Sequence, residues 1–258
     1  MDLMGAAAIV TGGAGGFGAA TTRRLVAAGV KVLIADLAEE RAQDLAAELG
    51  DDLVRFYRTD VTSEESVAGA IRAATELGPL RVAVVVHGGG GPAAGARLVN
   101  REGKSYGLDV FKRTVDIYLT GTFNVLSQAA VQMATNEPLD TGQRGVVITT
   151  ASIAGLEGAP GQTDYSAAKG GVIGLNLTAA RDLAPLGIRV MCIAPGTFLT
   201  NAYPDPVAAA ERFGPMVPNP KRMGRPDEYA RLALEIAEND YLNGEVIRLD
   251  GALRFNAR

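Results

Sequence analysis

"AAAIVTGGAGGFGAATTRRLVAAGVKVLIAD" (residues 6–36) sets the fold. An apolar run, "AAAIVTG", has the length and continuity of a strand buried on both faces. A glycine-rich turn follows, and "FGAATTRRLVAAG" (17–29) then shows helical spacing stopped at Gly29. "VKVLIAD" (30–36) is a second buried strand. Strand, glycine turn, helix, strand is a βαβ unit, and such units build parallel sheets. Within "TGGAGGFG" (11–18), Gly12, Gly15, Gly16 and Gly18, with Phe17 between the last two, open the helix. Glycines there let backbone N–H groups approach an anion at a helix N-terminus, as dinucleotide pyrophosphates require.

The alternation continues along the chain. Strands are expected at 53–60, 81–87, 145–152, 188–196 and 244–251, and helices near 38–50, 63–78, 108–135 and 163–184. The implied fold is α/β: a single Rossmann-like, doubly wound domain over residues 1–258, with a seven-stranded parallel sheet and helices on both faces. The proline-spaced stretch 203–226 is read as a substrate lid, and no helix is placed between it and the last strand. Ser63 is the expected N-cap of its helix.

Composition narrows the function. The 258 residues are 47% hydrophobic and 21% charged, with a net charge of −4. A packed core is expected, and no basic stripe suggests nucleic acid. No apolar run nears the roughly 18 residues of a membrane span. The N-terminus has no signal-peptide pattern. The single cysteine allows no intrachain disulfide, so a reducing, cytoplasmic location is expected. No metal site is expected.

Asp36 ends the second strand, where an acid that binds the adenosine ribose belongs. It would accept from the 2′-hydroxyl and repel a 2′-phosphate. No cation lies in 11–18, and Leu37 follows the aspartate, so NAD is favoured over NADP. Asp60 and Val61, ending the third strand, are placed to border the adenine. In "DYSAAKGG" (164–171), Tyr165 and Lys169 are four apart and share one helix face. A nearby ammonium lowers a phenol's pKa, so Tyr165 is the expected proton-transfer residue and Lys169 its electrostatic tuner. Ser152, 13 residues before Tyr165, can polarise a substrate oxygen.

Together "TGGAGGFG", "ASIAG", "DYSAAKGG" and "IAPGTFLT" resemble the short-chain dehydrogenase/reductase family over the whole chain. The resemblance implies hydride transfer between a nicotinamide cofactor and an alcohol/carbonyl pair. It implies Tyr165 as general acid/base, Lys169 as a second holder of the nicotinamide ribose, and Ser152 positioning the substrate oxygen. Pro195, Gly196, Thr197, Phe198 and Thr200 match the segment beside the nicotinamide. "HGGG" (87–90) stands where the family has an asparagine-led element. Gly88, Gly89 and Gly90 would lie along the cofactor, and His87 would be a structural hydrogen bonder rather than a proton carrier. Tyr118 replaces a family asparagine that helps order a proton-relay water; the relay is either rebuilt or slower. Four further stretches, among them "LNGEVIRLDGA", resemble members acting on 3-hydroxyacyl-CoA, which also oxidise certain hydroxysteroids. Alternatives are a 3-oxoacyl carrier-protein reductase, a hydroxysteroid dehydrogenase, or a weakly active dinucleotide-binding interaction protein. Arg97, Arg101 and Lys104, in the long connection 91–111, are expected to meet coenzyme A phosphates. Gly170, Gly171 and Gly174 on the Tyr165 helix, with the family's habit of pairing that helix between subunits, imply a homotetramer.

Overall fold

The computed structural model describes residues 1–88, 97–201 and 203–255. Seven strands form one sheet: β1 (Ala7–Thr11), β2 (Lys31–Asp36), β3 (Val54–Arg58), β4 (Leu80–Val85), β5 (Gly145–Thr150), β6 (Ile188–Pro195) and β7 (Val246–Leu249). The order is β3-β2-β1-β4-β5-β6-β7, and every pairing is parallel. The winding reverses between β1 and β4. In such sheets the crevice at the carboxyl ends beside the reversal is where ligands bind.

Alternate residues of each strand feed two cores. Ala7 and Ile9 of β1 point to one face, with α3 (Glu64–Thr75), α5 (Gly121–Ala134) and the far end of α7 (Thr163–Leu183). Ala8 and Val10 point to the other, against α1 (Gly16–Ala27) and α9 (Pro226–Glu238). The smaller helix α2 (Glu39–Leu49) covers Ile34 and Val54 near the sheet edge, and a single helical turn, α6 (Ala154–Glu157), follows β5. Ser63 does cap α3, accepting from the Ser66 N–H at 3.2 Å.

Two elements differ from the sequence reading. Helix α9 fills the place left unassigned; it buries Tyr229, Ala233, Ile236 and Ala237 at helical spacing, which completes the second layer. The helix expected over 108–135 is interrupted. It runs as α4 (Leu108–Val115), a π-helical turn (Asp116–Thr120) and α5. Such turns carry one extra residue and re-aim side chains. The segment 203–226 holds a short helix, α8 (Pro206–Phe213), capped by the Asp205 carboxylate on the N–H groups of Val207 and Ala208.

Candidate active site

The glycine loop leaves β1 and enters α1 at the winding reversal. Gly12 has φ +63°, and a Cβ on it would come within 2.7 Å of His87 Cα. A Cβ on Gly18 would lie 2.1 Å from the Gly12 carbonyl oxygen. Neither position admits a side chain. The Gly15 cap of α1 offers no side-chain acceptor, and the first turn holds no acid, so the helix N-terminus presents its positive end to the crevice. Asp36 fixes this loop: Oδ2 accepts from Ala14 N–H at 3.0 Å, and Oδ1 from Ala38 N–H at 2.9 Å.

Two cavities meet along Gly12, Asp36, Arg41, His87 and Gly88. The first, about 360 Å³, is lined by Gly15, Gly16, Phe17 and Gly18 on one side and Ser152, Tyr165, Lys169, Pro195, Gly196 and Thr200 on the other. The second, about 980 Å³, takes in Leu37, Asp60 and Val61. This donor set, a glycine cradle at a helix N-terminus joined to a strand-end acid, fits a dinucleotide. Thr197 and Phe198 instead line a separate cavity of about 210 Å³. Phe198 packs edge-on against Phe17 at 5.0 Å, and Phe17 stacks on Tyr229. Gly89 and Gly90 lie outside the described residues.

Ser152 follows β5, and its hydroxyl hydrogen-bonds the Tyr165 phenol. Lys169, one turn along α7, is buried, and its Nζ donates to the Thr150 carbonyl at 2.6 Å. The Tyr165 pKa is raised overall rather than lowered. Burial pushes the phenol above its ordinary value, the Tyr118 phenol adds to this, and only the Ser152 hydrogen bond opposes it. Lys169 Nζ donates to Thr150 and stands 5.8 Å from the Tyr165 ring centre. Burial in turn lowers Lys169 to about 8.

His87 has both nitrogens engaged. Nε2 lies 2.9 Å from the Ile117 carbonyl, which only accepts, so Nε2 carries the proton. Nδ1 then accepts from Thr11 Oγ1 at 3.0 Å, and that oxygen accepts from Val86 N–H. A neutral imidazole thus ties β1 and β4 to the π turn. Burial chiefly, and then the Lys169 charge, lower His87 to about 4.

This has a consequence for stability. The unfolded chain binds a proton near pH 6.5, whereas the folded ring resists until about pH 4. Acidification therefore favours the unfolded state across that window. Because His87 is the chain's only histidine, no other side chain has an ordinary pKa in the upper part of the window. Unfolding free energy should fall by at most about 2 kcal/mol between about pH 7.5 and about pH 5, less whatever the ring's cavity-facing edge recovers from solvent. Urea unfolding at both pH values checks this. His87→Asn should flatten the dependence, and an unchanged slope would contradict it.

Sequence reasoning overlooked three residues. Arg41, exposed on α2, lines both cavities beside Asp36. Asn201 lines the first. Asp164 is a buried carboxylate directly before Tyr165. Its Oδ2 accepts from Tyr106 Oη at 2.9 Å and Thr114 Oγ1 at 2.6 Å. Burial alone would raise its pKa, but these hydroxyls and backbone N–H groups hold it below the usual range. Asp164 thereby joins the loop before α4, and α4 itself, to the start of α7.

The chain belongs to the short-chain dehydrogenase family, whose model matches residues 6–208. It is an oxidoreductase of that family, built to use a nicotinamide dinucleotide and a small-molecule substrate. It is 46% identical over 257 residues to human "3-hydroxyacyl-CoA dehydrogenase type-2", covering 98% of this chain and 97% of the relative. The protein of that name from Drosophila melanogaster is 44% identical, covering 96% and 97%. A crystal structure of 3-hydroxyacyl-CoA dehydrogenase type-2 from Mycobacterium avium superposes with TM-score 0.93 at 53% identity, covering 98% of each chain. Among the described residues, no helix is long and apolar enough to cross a membrane.

Proposed function

We propose that this oxidoreductase interconverts the hydroxyl of a 3-hydroxyacyl-CoA and the ketone of a 3-oxoacyl-CoA, with NAD as its cofactor. The observation that carries the reading is one cavity whose walls hold Ser152, Tyr165 and Lys169 opposite the glycine loop. In the oxidative direction, Ser152 holds the substrate oxygen and Tyr165, once its phenol has ionised, takes the hydroxyl proton. Lys169 keeps a positive charge beside the site and holds a ribose hydroxyl. The cofactor supplies the hydride acceptor, so alcohol and NAD⁺ give ketone, NADH and a proton. The raised phenol pKa suits a general acid, so the geometry also serves ketone reduction.

NAD is favoured by Asp36, whose charge faces the ribose end of the cavities. The acyl-CoA assignment draws on the names of the relatives and on the loop after β4. Its described part is ordered by a Val99–Ser105 bridge and by Asn100 Oδ1 accepting from the N–H groups of Glu102 and Lys104. Arg97 and Arg101 are exposed there, whereas Lys104 pairs with Glu102 at 3.0 Å. We assign the lid role to 203–226, over the acyl chain. A homotetramer is supported by the exposed apolar side chains Phe123, Val131 and Leu177 on α5 and α7. A cytoplasmic location is supported by Cys192 being a buried, free thiol.

The test compares 3-hydroxybutyryl-CoA with free 3-hydroxybutyrate, both with NAD. Contacts to the distant phosphates orient the reacting carbon. The thioester should therefore win in kcat/KM by about 100-fold or more. Replacing Arg97 and Arg101 with alanine should raise KM for the thioester, more at low salt than at high. Equal efficiency for the two substrates would overturn the assignment.

A further inference from the structure

A buried ammonium needs compensation, because removing a charge from water costs several kcal/mol. Lys169 is 4% exposed. Among the described residues, no carboxylate pairs with it, and its one hydrogen-bond acceptor is the Thr150 carbonyl at 2.6 Å. Its other close partner is an aromatic face. Nζ stands 4.8 Å from the centre of the Tyr118 ring, nearer than the 5.8 Å to Tyr165. Cations within about 6 Å of a ring centre, over its face, are attracted by the ring quadrupole. The two tyrosine rings lie 5.2 Å apart at 88°, so an edge of one meets the face of the other.

The backbone holds the Tyr118 ring in place. The π turn carries it, and two successive carbonyls of that turn are taken by side chains: Ile117 by His87 at 2.9 Å, and Tyr118 by Thr122 Oγ1 at 2.7 Å. On its other side the ring meets Gly88, where an added Cβ would stand 3.6 Å from it.

We propose that Tyr118 is a positioning residue whose ring face holds the Lys169 ammonium at the Thr150 carbonyl, beside Tyr165. The ring does by π attraction what a carboxylate does elsewhere, without a negative charge next to a phenol that must ionise. The groups facing Lys169 are otherwise neutral: Tyr165 on α7, His87 at the end of β4, and the Cys192 thiol on β6. Burial already takes Lys169 down to about 8, so loss of the ring's attraction would move its titration closer to neutral pH. The proposal rests on the roles given to Lys169 and Tyr165 above, but its first readout is independent of substrate and cofactor.

That readout is the titration of the Lys169 ε-carbon resonance in cofactor-free protein, assigned by its loss in Lys169→Met. In Tyr118→Leu, which keeps an apolar side chain but no π face, the midpoint should fall by about half a unit or more. Tyr118→Phe should restore it. The alkaline limb of kcat/KM, which reports the free enzyme, should move with it. If Tyr118→Leu does not fold, fluorinated phenylalanines at position 118 hold volume nearly constant while draining the ring face, and the midpoint should fall with each added fluorine. An unchanged or raised midpoint in Tyr118→Leu, or no trend with fluorination, overturns the proposal. Tyr118→Phe behaving like Tyr118→Leu would also overturn it, because the hydroxyl and not the ring would then be the acting part.

Discussion

Tyr165→Phe should reduce kcat by about 10²- to 10⁴-fold, the usual contribution of a positioned general acid–base. The substitution removes one oxygen, the atom that meets the Ser152 hydroxyl. The ring remains, with its edge-to-face contact to Tyr118 at 5.2 Å. Packing, and with it the melting temperature and NADH affinity, should change little. That separation isolates proton transfer from binding. Isothermal titration with NADH and initial rates on the same preparation make the check. A variant with near-normal turnover would move the chemistry away from Tyr165.

The next largest effect concerns the choice between NADH and NADPH. Wild-type protein should bind NADH more tightly, because the Asp36 carboxylate at contact distance repels a 2′-phosphate by roughly 1–4 kcal/mol, or about 5- to 1,000-fold. Asp36→Asn should shrink the NADPH-to-NADH ratio of dissociation constants by about 10-fold or more. The absolute affinities will also suffer, since Asp36 holds the N–H groups of Ala14 and Ala38. That damage falls on both cofactors, so the ratio isolates the charge. Arg41 stands beside Asp36 on both cavities, and it would attract the same phosphate. Arg41→Ala should therefore widen the preference for NADH, and in the Asp36→Asn background it should take back part of the shift. Tighter NADPH binding by the wild-type protein would sink the NAD assignment.

The half of the fold around β1 was legible because its signals are local. Continuous apolar strands, glycine turns and amphipathic helices each declare themselves within a dozen residues. The same holds for Gly12, Gly15, Gly16, Gly18, Asp36, Ser152, Tyr165 and Lys169, all of which line the two joined cavities. Helix α9 carried start signals too, with Pro226 in its first turn followed by Asp227 and Glu228; the run of prolines just before it hid them. Other features had no local signal. The π turn is met by His87 at the Ile117 carbonyl, 30 residues away. Asp164 has meaning only through Tyr106 and Thr114, 58 and 50 residues distant. The raised Tyr165 pKa follows from burial and from the neighbouring Tyr118 phenol, and helix spacing specifies neither.

At this site hydride is expected to pass from the nicotinamide to a substrate carrying coenzyme A while Tyr165 moves the proton. Incubating wild-type protein with acetoacetyl-CoA and NADH deuterated at its transferring carbon tests it most directly, with mass spectrometry of the thioester product. One deuterium at the new carbinol carbon, formed as the nicotinamide absorbance falls and lost with Tyr165→Phe, is the predicted result. Unlabelled product, or no consumption of NADH in the presence of the thioester, would rule out this reaction.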